Sequence, residues 1–90
     1  MTIQVHSVWD NGGATVDRYS IYFDGPGMTR TDAHGNELYY CLAMNGNPYS
    51  PSHGFCQHCE GMPGGADGVQ ITLDALPDDC RKLVNREMEA

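Results

Sequence analysis

Ninety residues carrying a net charge of −7 make one small domain whose surface repels nucleic acid and anionic lipid. The 40% hydrophobic content, with five Tyr, two Phe and Trp9, supplies the bulk of a packed core and excludes a disordered chain. No apolar run reaches membrane-spanning length and no basic-then-apolar leader opens the sequence, so a cytoplasmic protein is expected, with cysteines that serve as thiols or metal ligands rather than disulfides.

Residues 2–9 read as the first strand, with Ile3, Val5 and Trp9 on one face and Gln4 and His6 on the other. Asp10-Asn11-Gly12-Gly13 follows, and Asn-Gly is the strongest short hairpin signal because both central residues of the favoured turn need positive φ. The second strand, residues 15–23, alternates Tyr19, Ile21 and Phe23 with Arg18, Ser20 and Tyr22. Arg18 reads as an exposed cross-strand partner. Asp24-Gly25-Pro26-Gly27 ends that strand, and residues 28–36 read as a polar loop closing in a Gly-Asn turn.

Residues 37–43 form the third strand. Leu38, Tyr40 and Leu42 take one face and Tyr39, Cys41 and Ala43 the other, so both faces are apolar and the strand is expected at the centre of the sheet. A long stretch, 44–68, then holds three of the five prolines and six of the eleven glycines. It reads as a loop ordered by its own anchors, Tyr49 and Phe55, and loops of this length are uncommon in small domains unless functional or disordered. Residues 69–73 alternate Val69, Ile71 and Leu73 as a fourth, short strand. Pro77 suits the first position of a helix, Asp78 and Asp79 complement its dipole, and Cys80, Leu83, Val84 and Met88 fall on one stripe. The expected fold is α+β: a small antiparallel sheet of three to four strands, one C-terminal helix packed on it, and a long ordered Gly/Pro-rich loop.

Five blocks together carry a resemblance: Asp10-Asn-Gly-Gly, Asp17-Arg-Tyr, Met44-Asn-Gly-Asn-Pro, Gly54-Phe-Cys-Gln-His and Leu76-Pro-Asp-Asp-Cys. In these pieces the chain resembles a group of small uncharacterised proteins from bacteria, phages and plasmids. The resemblance implies a compact domain from a mobile-element gene pool and no known reaction. Size, acidity and that origin are similar to those of phage inhibitors of host defence, such as anti-CRISPR proteins, by analogy rather than by sequence.

Two kinds of site follow from the residues. Between positions 31 and 80 there is no Lys or Arg, while Asp32, Glu37, Glu60, Asp67, Asp74, Asp78 and Asp79 all fall there. Such a surface attracts a basic protein, including one that binds nucleic acid, and the expected contact residues are Glu60, Asp67, Asp74, Asp78 and Asp79 with Tyr49 and Phe55 beside them. The alternative is zinc. His53, Cys56 and Cys59 have the spacing of three soft ligands, and a fourth would come from Cys41, Cys80, His34 or water. A second close ligand pair, usual in structural zinc sites, is missing, so no cofactor is expected and zinc stays the runner-up. Redox chemistry at Cys56 and Cys59 lacks the helix that normally follows such a pair. Nucleophilic catalysis by Cys56 with His53 or His58 needs a base oriented by a third group, an oxyanion site and a pocket, which a one-core domain of this size rarely supplies together, and no enzyme is expected. The aromatics Tyr39, Tyr40, Tyr49 and Phe55 have no positive groove for direct nucleic-acid binding.

Overall fold

The computed structural model describes residues 3–12, 18–45, 57–63 and 68–89. They form an antiparallel sheet of six strands, β1 (Gln4–Asp10), β2 (Tyr19–Asp24), β3 (Thr29–Thr31), β4 (Glu37–Met44), β5 (Gln57–Gly61) and β6 (Val69–Ile71), followed by a 3-10 turn (Leu73–Ala75) and one helix, α1 (Asp78–Glu89). The α+β class, the antiparallel sheet and the C-terminal helix are as the sequence indicates. The strand count is not: there are six rather than three to four. β3 lies within the expected polar loop and β5 within the expected Gly/Pro loop. The remainder of that loop, with Tyr49 and Phe55, lies outside the described residues.

The hydrogen-bonded order is β3-β4-β2-β1-β6, with β5 pairing β4 off this path. Tyr39 pairs with both Thr29 and Gly61, and residues 40–43 pair with both β2 and β5. A strand has two edges, so β2 and β3 lie end to end along one edge of β4 and β5 takes the other. Between them, residues 25–28 step out of the ladder, and the Tyr40 N–H donates to the Met28 carbonyl at 2.7 Å to resume it.

One face of the sheet is the core. Tyr19, Ile21 and Phe23 of β2 and Leu42 and Met44 of β4 are buried there, with Val8 of β1. α1 covers them with Cys80 and Val84, which are fully buried, while Leu83 and Met88 pack at the margin. The helix runs antiparallel to β4. Cys80 in its first turn donates through Sγ to the Asn45 carbonyl at 3.5 Å, and the Tyr40 hydroxyl donates to Oε1 of Glu87 in its last turn at 2.5 Å. The Arg81 N–H reaches the Pro77 carbonyl at 3.0 Å, so Pro77 caps the helix and the helical run begins one residue later than the sequence suggests.

β1 departs from the expected alternation. Its register against β2 shifts between Val5 and Ser7, which is a β-bulge at His6. The extra residue turns the following positions over, so Val8, opposite Ile21, joins Val5 on the core face and Trp9 goes to the other. Trp9 is therefore not on the face of Ile3 and Val5. Its indole donates to Ser7 Oγ at 2.9 Å.

Two turns are held by carboxylates. Asn11 donates its N–H to the Arg18 carbonyl at 2.7 Å, Gly12 has φ of 73°, and Asp10 accepts from the Gly12 N–H at 2.8 Å and from Arg18 Nε at 2.6 Å. Arg18 is thus the cross-strand partner expected from the sequence. In the β3–β4 hairpin Asp32 accepts from the N–H groups of Asn36 at 2.9 Å and His34 at 2.8 Å. These bonds, that from Asn36 first, hold its pKa below the usual carboxylate value.

Val84→Ala should lower unfolding free energy by about 2 kcal/mol, whereas Lys82→Ala on the wet face should change it by about 0.5 kcal/mol or less; urea denaturation of both variants measures the difference. Asp32 gives a pH signature. Its folded pKa lies below the unfolded value, so its stabilisation is complete above the unfolded pKa of about 3.9 and is lost as pH falls through the folded one. The stability gap between the native chain and Asp32→Ala should accordingly be constant near neutrality and close on acidification, and a gap that widened in acid would contradict the assignment.

Candidate functional site

The expected carboxylates do not all gather at one place. Asp74, Asp78 and Asp79 are exposed around the 3-10 turn and the start of α1. A groove of about 440 Å³ runs beside them, lined by Leu73, Asp74, Asp78, Arg81, Lys82 and Asn85. Within it Arg81 bonds Asp78 one turn earlier. Glu60 is elsewhere. It stands opposite Tyr40, whose hydroxyl meets the last turn of α1, so most of the helix separates it from Asp78 and Asp79. Asp67 lies outside the described residues.

Glu60 is also engaged. Arg30 on β3 faces it across β4, on the face that carries Leu38 and Tyr40, and donates through Nε at 2.8 and 2.9 Å and through Nη2. The Arg30 guanidinium holds the Glu60 carboxyl below the usual range. A cleft of about 340 Å³ lies over this pair, lined by Gly27, Met28, Thr29, Arg30, Tyr40, Cys59 and Glu60. Its charges satisfy each other, so it presents a neutral polar bridge above an aromatic ring.

The second face of the sheet holds the cysteine chemistry. Cys41 of β4 pairs directly with Cys59 of β5, and on its other edge with Tyr22 of β2. The three side chains therefore stand in one row. Cys41 is buried, Cys59 is exposed, and both are free thiols. Burial first, then the neighbouring Cys59, pushes the Cys41 pKa up. Burial likewise pushes Tyr22 up to about 12. The row continues into polar and aromatic groups: His6 stacks on Tyr39 with ring centroids 4.4 Å apart, and His6 Nδ1 lies 3.0 Å from Ser7 Oγ.

Of the runner-up zinc ligands, His53 and Cys56 lie outside the described residues. Among the candidates for a fourth position, only Cys41 meets Cys59. Cys80 is on the helix side of the sheet, and the His34 backbone is tied into the Asp32 hairpin. Among the described residues no group of three or more His, Cys, Asp or Glu side chains converges on a common point. The pairing of Cys41 with Cys59 has no local signal in the sequence, because β5 shows no apolar alternation and the two cysteines meet only through long-range register.

The chain matches no protein-family model, no curated protein and no solved structure. Among the described residues no helix is long and apolar enough to cross a membrane.

The geometry fixes an order of thiol reactivity. In native protein a maleimide should modify Cys59 while Cys41 and Cys80 stay unmodified, and all three should react in urea. Peptide mass mapping reads the order, and native labelling of Cys41 ahead of Cys59 would contradict the placement of β5.

Proposed function

We propose that the chain is a small acidic interaction domain that binds a basic protein surface, and that its partner is a protein which itself binds nucleic acid. One observation carries the reading. The described residues hold ten Asp and Glu against five Lys and Arg, and three of those five cations, Arg18, Arg30 and Arg81, are closed in ion pairs with the chain's own Asp10, Glu60 and Asp78. Outside those pairs the described residues keep seven carboxylates and the two cations Lys82 and Arg86, so the surface stays net negative.

Asp74 and Asp79, with Asp78 beside them, form an exposed acidic group at the positive end of the helix dipole. Carboxylates on a turn and a first helical turn are spaced along a rigid support, as a series of phosphates is along a strand of nucleic acid. Lys82 and Arg81 border the same groove, so a partner meets an acidic ridge with a basic margin, which adds orientation to attraction. The resemblance to small phage and plasmid proteins supports a role as inhibitor of a host defence component, where occupying a nucleic-acid-binding site blocks its function. The same charge argues against direct contact with nucleic acid or with anionic lipid.

The effect is collective, since one exposed ion pair contributes only about 0–1 kcal/mol. Two such contacts, at Asp74 and Asp79, at about 0.5 kcal/mol each amount to roughly a fivefold change in affinity. The double variant Asp74→Asn/Asp79→Asn should therefore compete about fivefold less well for the nucleic-acid site of a partner drawn from nucleic-acid-binding proteins, with a shallower dependence on salt. Circular dichroism checks that it folds. Glu60→Gln is the control, because Arg30 already satisfies that carboxylate. A double variant that competes as well as the native chain, with the same salt dependence, would remove the ridge from the interface.

A further inference from the structure

The row formed by Tyr22, Cys41 and Cys59 does not take part in the acidic interface, and its chemistry is of a different kind. We infer that Cys41 and Cys59 are a redox modification site: an exposed thiol that reacts first and a buried one that resolves it, closing a cross-strand disulfide between β4 and β5. The geometry meets each requirement. The residues are directly opposed on antiparallel strands, where Cα atoms lie about 4.5–5.5 Å apart, inside the roughly 4.4–6.8 Å that a disulfide spans. Only one of the two, Cys59, is open to solvent.

The reacting oxidant is a low-molecular-weight disulfide. The Cys59 thiolate attacks one of its sulfurs, expels one thiolate and forms a mixed disulfide. The Cys41 thiolate then attacks the Cys59 sulfur and expels the second. Two cysteine thiols are oxidised to one disulfide, one small-molecule disulfide is reduced to two thiols, and the protons released by the two cysteines pass to the two leaving thiolates. On its other edge Cys41 pairs with Tyr22 of β2, so the resolving cysteine sits in a strand fixed from both sides. The consequence for the fold is local. Among the described residues β5 pairs only with β4, so the bond tethers this strand covalently to the centre of the sheet.

The test uses the full chain and glutathione disulfide, followed by alkylation and peptide mass mapping. The expected product of the native chain is an intramolecular disulfide joining the peptides that contain Cys41 and Cys59, with no retained glutathione and with Cys80 still alkylated. Cys41→Ser should stop at the Cys59–glutathione adduct, and Cys59→Ser should leave Cys41 unmodified. The proposal fails if the native chain keeps Cys41 as a free thiol while Cys59 carries glutathione, or if Cys59 joins Cys56 instead. Both outcomes are read on the native chain, so the result does not depend on how well either variant folds.

Discussion

The structure depends on β4 being paired along both edges and packed on both faces. Its residues Tyr40 to Ala43 pair with β2 on one side and β5 on the other, and its last four residues are all buried. A strand in this position has every backbone donor and acceptor directed into a ladder, so displacing it would leave many polar groups unpaired in an apolar setting. Its side chains therefore sort the molecule into two halves. Leu42 and Met44 join the core under α1, while Cys41 and Ala43 are buried on the opposite face. The thiol row belongs to that second half and the acidic ridge to the helix start, so the two features are separated by the sheet itself.

What the sequence made legible was what local pattern encodes. Alternation in β2 put Tyr19, Ile21 and Phe23 in the core, the doubly apolar pattern of residues 37–43 marked the central strand, and the stripe from Cys80 to Met88 marked the packed face of the helix. The missing pieces have physical causes. Thr29, Arg30 and Thr31 form a strand with no apolar residue, because they pair at an exposed end of β4 and bury little. β5 is written in Gln, His, Cys, Glu and Gly and is defined by its partner rather than by its own pattern. The bulge at His6 exchanged Trp9 for Val8 on the core face, and one inserted residue reverses every later position of a strand. For the sites, sequence spacing joined Cys59 to Cys56, but register joined it to Cys41, and no count of intervening residues carries that information.

Charge shows a similar division between what composition gives and what placement gives. The surplus of acid is visible in the sequence, but which carboxylates remain outward-facing depends on where the few cations sit. Asp10 is engaged because Arg18 stands on the facing strand of its own hairpin, and Glu60 because Arg30 reaches it from the far side of β4. Exposed pairs of this kind add little stability. Their larger effect is on the surface, where each removes one positive charge from the reach of other acidic groups and leaves Asp74 and Asp79 without internal competition from Arg18 or Arg30.

The Arg30–Glu60 pair has a second effect, on the edges of the sheet. Thr29 to Thr31 of β3 and Gln57 to Gly61 of β5 pair with opposite edges of β4, and among the described residues these two strands share no ladder. The Arg30 guanidinium crosses β4 on the face of Leu38 and Tyr40 and bonds Glu60 through Nε and Nη2, while Cys59, the preceding residue of β5, pairs with Cys41 on the opposite face. One exposed pair adds only about 0–1 kcal/mol, but it links two strands that bury little of their own. The ion pair thus ties β3 to β5 over the central strand and helps place the strand that carries the exposed thiol.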